Sequence, residues 1–496
     1  MNQKKILLIE PPFYRLYKET YSLDRYPLSL GYLAGTIQRE TDWSVHVYNA
    51  DFSPQSEAMQ VSYMTGKGFE NYLDNLKHMS GSVWKEVESI LFEVQPDVIG
   101  ITMKSQNFAS GCLVAKLAKR INKDAIVIVG GPHPTMAQNV LDCKDIDVCV
   151  RGEGERTIVE LLHAIEREKG FENIAGIVFR RNGGIVENGS RQFIEDLNTL
   201  CFPHESAREA LIGYEQYPPS AFKNIFASRG CPYNCFFCGS KNIWSRRVRF
   251  RSTDNIIKEI ISLQSMGVKS VHFDDDTFGI KRENIKELCE AMLVNLPNLK
   301  WSCELHIKLV EEDIIALMKD AGCQSVQVGI ESGNNEILKK MRKNTTIEEA
   351  LRACKIIKKH GIQLQTFFMI GLPWETEETI RDTVEAMKRI QSDDVIYSIF
   401  TPYPGTEAFE VCKKSGLIGD DYNVSLYNHK SPANSFCLNI DKERFRELAF
   451  EVEAMVDRVN RRNKVKRVFS PQVFSKVKEK GVSKSIKTGI KMILGK

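Results

Sequence analysis

Arg229-Gly-Cys-Pro-Tyr-Asn-Cys-Phe-Phe-Cys238 sets three thiols at i, i+4 and i+7, directly behind an apolar run that predicts a strand near 224–229. The end of a first strand in an α/β series is where reactive groups gather. Structural zinc normally takes four ligands and closes its shell, and no fourth ligand stands near these three. Thiolates are the usual ligands of iron–sulfur clusters, and three of them leave one iron open. The competing reading is a structural metal knuckle or three buried cysteines. Spacing and placement together favour a 4Fe–4S cluster on Cys231, Cys235 and Cys238.

Downstream of this loop, strands are expected near 269–274, 299–305, 324–330, 362–370 and 395–401. Helices are expected near 254–266, 282–294, 311–321, 347–360 and 376–391, with apolar positions at helical spacing. Six strand–helix units suit a (βα)6 partial barrel with its chemistry at the carboxyl-terminal rim.

Upstream, the runs Lys5–Glu10, Ser44–Asn49, Asp97–Thr102, Ala125–Gly130 and Asp147–Arg151 are short, rich in Val and Ile, and stopped by Gly, Pro or Asp. Buried parallel strands read this way. With helices between them they predict a doubly wound domain, whose ligand binds beyond the carboxyl ends of the strands. Two helices are expected in the long connection 56–95. Residues 176–203 predict a hairpin turning at Asn182-Gly183-Gly184, then an extended linker. The expected domains are thus 1–165, a hairpin and linker over 166–215, a second α/β domain over 216–430, and a helical C-terminal region over 431–496.

The chain has 496 residues and 42% apolar composition, enough for two or three buried cores. The apolar run Ile6–Ile9 is too short for a signal peptide, and no stretch approaches the roughly 20 apolar residues of a membrane span. A cytoplasmic location is therefore expected. Thirteen cysteines, an odd number, argue against a disulfide framework. The net charge of +4 conceals an asymmetry: residues 458–496 hold thirteen Lys and Arg against Glu479 alone, so the body before them is acidic.

The cysteine motif opening a barrel resembles the radical S-adenosylmethionine (SAM) superfamily. That resemblance implies that SAM binds the open iron through its amino and carboxylate groups. One electron then cleaves it to methionine and a 5′-deoxyadenosyl radical. It also implies that the backbone of Phe237 meets adenine and that Asp274 or Asp275 meets the amino group. Gly329, Glu331, Ser332 and Gly333 would meet ribose and carboxylate, followed by Gly371 and Pro373. Taken singly, a glycine after a strand often only permits a turn, and a carboxylate there often caps the next helix.

The N-terminal domain is similar to the cobalamin-binding domain of one radical SAM subgroup, which includes anaerobic magnesium-protoporphyrin ester cyclases and hopanoid methylases. The matching pieces are Pro11-Pro12, Tyr26-Pro-Leu-Ser-Leu-Gly-Tyr-Leu-Ala34, Gly130-Gly-Pro-His-Pro134 and Arg151-Gly-Glu-Gly-Glu155. Together the likeness spans roughly residues 1–430. It implies cobalamin contacts from the strand ends: Pro12, Asp51, Thr102, Ser105, Gly130, Gly131, Pro132, His133, Gly152 and Glu153. No Asp-x-His-x-x-Gly sequence occurs, so cobalamin is expected without a histidine on cobalt, with His133 as a rim residue.

Three functions fit these motifs. The first is methylation of an unactivated carbon in a lipid-like or secondary-metabolite substrate. No ordinary base reaches such a C–H. The second keeps both cofactors for oxidative cyclisation or rearrangement without methyl transfer. The third is RNA modification, and the tail lacks the aromatic interleaving of a base-stacking surface, so nucleic acid is not expected as a partner. An external electron donor such as flavodoxin or ferredoxin is implied. In the tail, Val482, Ile486, Ile490 and Ile493 line one helical face with lysines beside it. That pattern suits either an anionic membrane surface or the protein's own acidic body.

Overall fold

A computed structural model describes residues 3–427, 430–431 and 434–468. The chain separates into two compact units: Met1–Asp276 with Pro402–Asn428, and Thr277–Thr401 with His429–Lys496.

The first unit is built on β1 (Lys5–Glu10), β2 (Ser44–Asn49), β3 (Val98–Thr102), β4 (Ile126–Gly130) and β5 (Val148–Val150). These five parallel strands stand in the order β2-β1-β3-β4-β5, a doubly wound arrangement. The near-continuous apolar runs of β1, β3 and β4 follow from burial on both faces: every residue of β3 is buried. Leu7, Ile9, Ile99, Ile101, Val127 and Val129 meet Trp84 and Leu91 in one core.

Two departures from the sequence reading stand here. The connection 56–95 holds three helices rather than two: Val61–Thr65, Lys67–Lys77 and Ser82–Val94. Gly66 breaks the first from the second with a backbone no helix adopts (φ −110°, ψ −112°). The expected hairpin forms, as β6 (Ile177–Arg181) and β7 (Gly184–Glu187), and it extends the first sheet antiparallel beyond β5. The strand near 224–229 is also divided. β8 (Asn224–Ile225) is followed by β9 (Ser228–Arg229), which pairs antiparallel with β10 (Arg249–Phe250). β11 (Ser270–Phe273) runs parallel to β8.

The second unit carries β12 (Lys300–Leu305), β13 (Cys323–Glu331), β14 (Gln363–Ile370) and β15 (Asp394–Ile399), parallel and adjacent in that order. Helices follow each expected position: Arg282–Asn295, Glu312–Asp320, Ile347–Lys359 and Glu377–Ile390. Capping boxes start two of them, Thr346 with Glu349 and Thr376 with Thr379. The C-terminal region is helical over Lys442–Val468, and Asn460 clips it to both backbone groups of Val395. The amphipathic stretch Val482–Ile493 lies outside the described residues. Among the described residues, no helix is long and apolar enough to cross a membrane.

At the end of β14, the turn Gly371-Leu-Pro-Trp-Glu375 closes on a carboxylate. The amides of Gly371 and Leu372 donate to Glu375 Oε2 at 2.6 and 2.9 Å. Glu375 is fully buried and its Oε1 has no partner among the described residues. Burial pushes this carboxyl from 4.5 up to about 7, the two amides only partly opposing it. Such a raised value stabilises the fold fully below the ordinary pKa and is lost as pH rises through about 7. The span corresponds to roughly 3 kcal/mol. The melting temperature should therefore fall as pH rises from about 4.5 to about 7 and level off above, and Glu375→Gln should reduce that slope. An unchanged slope in the variant would place the titrating group elsewhere.

Candidate functional site

The cluster loop hangs between two short strands. Gly230 follows β9 with φ +103°, and a Cβ there would strike the carbonyl oxygen of Arg247, so only glycine fits this bend. The Gly230 amide donates to Asp276 at 3.2 Å. Cys231, Cys235 and Cys238 are all partly exposed and unbridged. The amide of Cys238 bonds the carbonyl of Cys235 at 3.2 Å, and the Ser240 amide donates to the Cys238 sulfur at 3.4 Å. Burial pushes the Cys238 thiol up to about 11, and the neighbouring Cys235, Asp276 and Cys231 add to that rise. Three thiols crowded on one short loop are a donor set that suits an iron–sulfur cluster. Beside them Phe236 is buried while Phe237 keeps partial exposure.

The Asp274-Asp275-Asp276 triplet ends β11, and each carboxylate faces a different way. Asp274 is ion-paired with Arg25. Asp275 is buried and accepts from the amides of Ala227 and Ser228 and from the Ser228 hydroxyl, at 3.1, 2.5 and 2.5 Å. Burial pushes its carboxyl up to about 7, against those donors. Asp275 thus ties the strand leading into the cluster loop, with its carboxylate turned inward.

At the end of β5 the motif Arg151-Gly-Glu-Gly-Glu155 is engaged with the same strand. Glu153 receives Arg229 Nη1 at 2.7 Å, Arg249 Nη1 at 2.8 and 3.0 Å, and the Ile194 amide at 2.8 Å. Glu155 receives Arg229 Nη2 at 2.6 Å. All four side chains are buried. Burial alone would raise the Glu153 pKa, yet the arginines and the Ile194 amide hold it below the ordinary value. For Arg229, burial opposes the charge, and Glu155, Tyr32 and Glu153 overcome it and raise the pKa. Tyr32 stacks on the Arg229 guanidinium at 5.1 Å. Deleting one partner would strand a buried charge, at about 3–5 kcal/mol.

The other strand ends of the first sheet surround His133. Gly131 (φ +108°) admits no Cβ: one would lie 2.9 Å from the Met103 carbonyl oxygen. His133 is 1% exposed, its Nδ1 lies 3.0 Å from Ser105 Oγ, and its Nε2 has no partner among the described residues. Burial pushes its pKa down to about 4, so the ring is neutral near pH 7. Thr102 and Pro12 are buried, Gly130 is half-buried and Pro132 is exposed. Asp51 accepts the amides of Phe13 and Arg15 at 2.8 and 3.0 Å and so holds the loop after β1. Gly152 (φ +80°) faces open space. An orphaned buried nitrogen, a glycine shelf and open space at the strand ends suit a large polar cofactor such as cobalamin. The helix Pro132–Met136 also packs on Ser240–Trp244, with Met136 against Gly239 and Gly405.

Within the second unit, Glu331 adopts φ +71° at the end of β13 and pairs with Lys343 at 2.8 Å, both buried. Ser332 is fully buried, its hydroxyl 3.3 Å from Thr383 Oγ1, which also accepts the Gly333 amide at 3.0 Å. A Cβ on Gly329 would meet Glu331 Oε1 and Lys343 Nζ. Gly371 (φ +90°) and Pro373 form the turn over Glu375. The sequence reading passed over Arg229, Arg249, Glu155, Lys343 and Glu375. Its nearest signal was an arginine directly before the cysteines and two acids in one strand-end motif.

Family models match this chain in two places: the B12 binding domain over residues 14–162 and the Radical SAM superfamily over 225–387. An uncharacterized methyltransferase of Pyrococcus horikoshii is 29% identical, over 84% of this chain and 85% of that protein. The anaerobic magnesium-protoporphyrin IX monomethyl ester cyclase of Rubrivivax gelatinosus is 26% identical, over 70% of this chain and 63% of that protein. The radical S-adenosylmethionine methyltransferase TsrM from Kitasatospora setae, solved with cobalamin and a [4Fe–4S] cluster bound, shares the fold. Its TM-score is 0.62 at 19% identity, over 83% of this chain and 78% of that one. The cofactors are a 4Fe–4S cluster, SAM and cobalamin. The thiol loop behind β9 and the doubly wound sheet before it are the two halves of one architecture, and the chain belongs to the radical SAM enzymes that carry a B12-binding domain.

Proposed function

We propose that this enzyme methylates an unactivated carbon of a lipid-like or secondary-metabolite substrate. The observation that carries the reading is the packing of Pro132–Met136 on Ser240–Trp244, through Met136, Gly239 and Gly405. It sets the strand ends proposed for cobalamin beside the loop proposed for the cluster, inside a single unit. When bound, the cluster supplies the electron for SAM cleavage and cobalamin supplies the methyl group. Cys231, Cys235 and Cys238 hold the cluster. Within the first unit the proposed SAM contacts are the backbone of Phe237 and the carboxylate of Asp274; within the second, taken by itself, they are the bends at Gly329, Gly333, Gly371 and Pro373. Asp275, Glu331 and Ser332 already have protein partners, so their proposed part is to hold the local backbone, and Asp274 would exchange its Arg25 partner for SAM.

In the proposed cobalamin site the neutral His133 ring, anchored by Ser105, would offer Nε2 to the cofactor as a hydrogen-bonding group. Thr102, Gly130, Gly131, Pro132 and Gly152 offer backbone and hydroxyl groups around it. An external flavodoxin or ferredoxin is the proposed electron donor. Similarity to the cyclase favours a second reading, oxidative ring closure without methyl transfer.

Cys231→Ala, Cys235→Ala and Cys238→Ala should each abolish release of 5′-deoxyadenosine after anaerobic reconstitution, while Cys289→Ala should not. Release at the wild-type rate by any ligand variant would remove the assignment.

With methyl-deuterated SAM and cell extract, methylation should yield S-adenosylhomocysteine and 5′-deoxyadenosine in about equal amounts, with label in the product. Deoxyadenosine and product without adenosylhomocysteine would select the cyclase reading. The Co(II) EPR spectrum should show no nitrogen splitting from protein, and a splitting that disappears in His133→Ala would make that ring a cobalt ligand.

The basic segment 458–496 is proposed to touch an anionic membrane, at about 1 kcal/mol for each Lys or Arg near the surface. Full-length protein should sediment with phosphatidylglycerol vesicles and less so at high salt, while a chain ending at Asp457 stays in solution. If both remain in solution, the segment belongs to the protein's own surface.

A further inference from the structure

The two acids of Arg151-Gly-Glu-Gly-Glu155 stand at the strand end where a bound cofactor would draw on them, yet neither is free. Glu153 (6% exposed) already accepts four hydrogen bonds, and Glu155 (5% exposed) accepts one from Arg229. Two carboxylates face two guanidiniums, so the set is neutral as a whole. The planar fork of Arg229 spans both acids at once, Nη1 to one and Nη2 to the other, which a lysine could not do. Its backbone is the last residue of β9, in register opposite Arg249, which also grips Glu153. Only the glycine at 230 separates Arg229 from the first thiol.

We propose that Glu153 and Glu155 are positioning residues that act through Arg229 to hold the Cys231 end of the cluster loop against the end of β5. The motif then works as a fixed link between the proposed cobalamin site and the cluster loop, rather than as a cofactor ligand. This rests on the reading of the two cofactor sites given above for its purpose, though the ion-pair network itself does not depend on it.

The test uses the full-length chain with Glu153→Gln, the milder Glu155→Gln, and Arg229→Lys, which keeps the charge and loses the fork. Glu86→Gln, which weakens the Arg15–Glu86 pair elsewhere in the same unit, is the control. Hydrogen exchange on the apoprotein should quicken about tenfold at the amides of 231–238 in the three variants, and not over β1–β4. The control should leave 231–238 unchanged. On protein reconstituted with cluster and cobalamin, the magnetic interaction between Co(II) and the reduced cluster should shift or broaden in Arg229→Lys at unchanged iron and cobalamin content. Wild-type exchange at 231–238 in Glu153→Gln and Arg229→Lys would overturn the proposal, as would uniform acceleration throughout the unit. If Glu153→Gln does not fold, Glu155→Gln and Arg229→Lys decide by the same two outcomes. Absence of any Co(II)–cluster interaction in the wild type would sink the adjacent-cofactor reading alone, leaving the exchange result to judge the link.

Discussion

The guanidinium of Arg229 sits between Glu153 and Glu155, out of water, with Arg249 completing the charge balance. An ion taken out of water costs several kcal/mol unless its partners are already in place. The consequence is mutual dependence: the end of β5 and the strand leading into the thiols reach their final positions together. The aromatic rings around the network follow from the same demand. Tyr32 covers Arg229, and Phe193 and Trp244 cover Arg249 at 4.7 and 5.5 Å, so the charges lose water to faces that still attract cations. Trp244 lies on the helix that follows the cluster loop, and Tyr32 lies on Leu28–Glu40, whose Gly31 admits no side chain against Tyr26 and Pro203. Much of the first unit is arranged so that four charges can be buried.

Strands buried on both faces were the easiest elements to read. β1 falls on the expected residues because an unbroken Ile and Leu run, Ile6–Ile9, has few other uses, and β2 because Val45, Val47 and Tyr48 carry the β-favouring side chains of a strand. β14 was legible from its apolar run Phe367–Ile370 stopped by Gly371, and in the fold its residues alternate strictly between half-buried and buried. What the sequence hid was pairing between distant segments. The hairpin at Asn182-Gly183-Gly184 declares its own turn, but nothing local says that Val148–Val150 will accept it as two further strands. Likewise the apolar run at 224–229 does not reveal that it divides, because the division is made by Asp275 gripping the amides of Ala227 and Ser228 from another strand.

The candidate site shows the same boundary. Cysteine spacing is a local property, and the thiols were legible. Three consecutive aspartates at a strand end were legible as a site, but which of them faces outward was not, since successive side chains beyond β11 leave in different directions. Arg25 takes one, the strand amides take the next, and Gly230 takes the third. Glu153 was expected as a cofactor contact because it lies at a strand end in a motif like that of the cobalamin-binding domain. The glycines beside it serve the turn, φ +80° at Gly152 and a close approach to Leu33 at Gly154, while the acid answers an arginine 76 residues away.

Positive φ collects at the strand ends that carry the proposed site residues. Gly131, Gly230 and Gly371 take positive φ at strand ends without penalty, but Glu331 does so with a side chain, at a cost of about 1–3 kcal/mol. The pairing of β13 with β14 slips between Gly329 and Glu331, which makes the bend, and the buried Lys343 ion pair keeps it. Thr383 then fixes the next two residues from the neighbouring helix, through Ser332 Oγ and the Gly333 amide. A carboxylate bound to a lysine and lodged under its own bend has little left to offer a ligand. Its work is to keep the backbone of 329–333 open in a shape that an unstrained strand end would not hold.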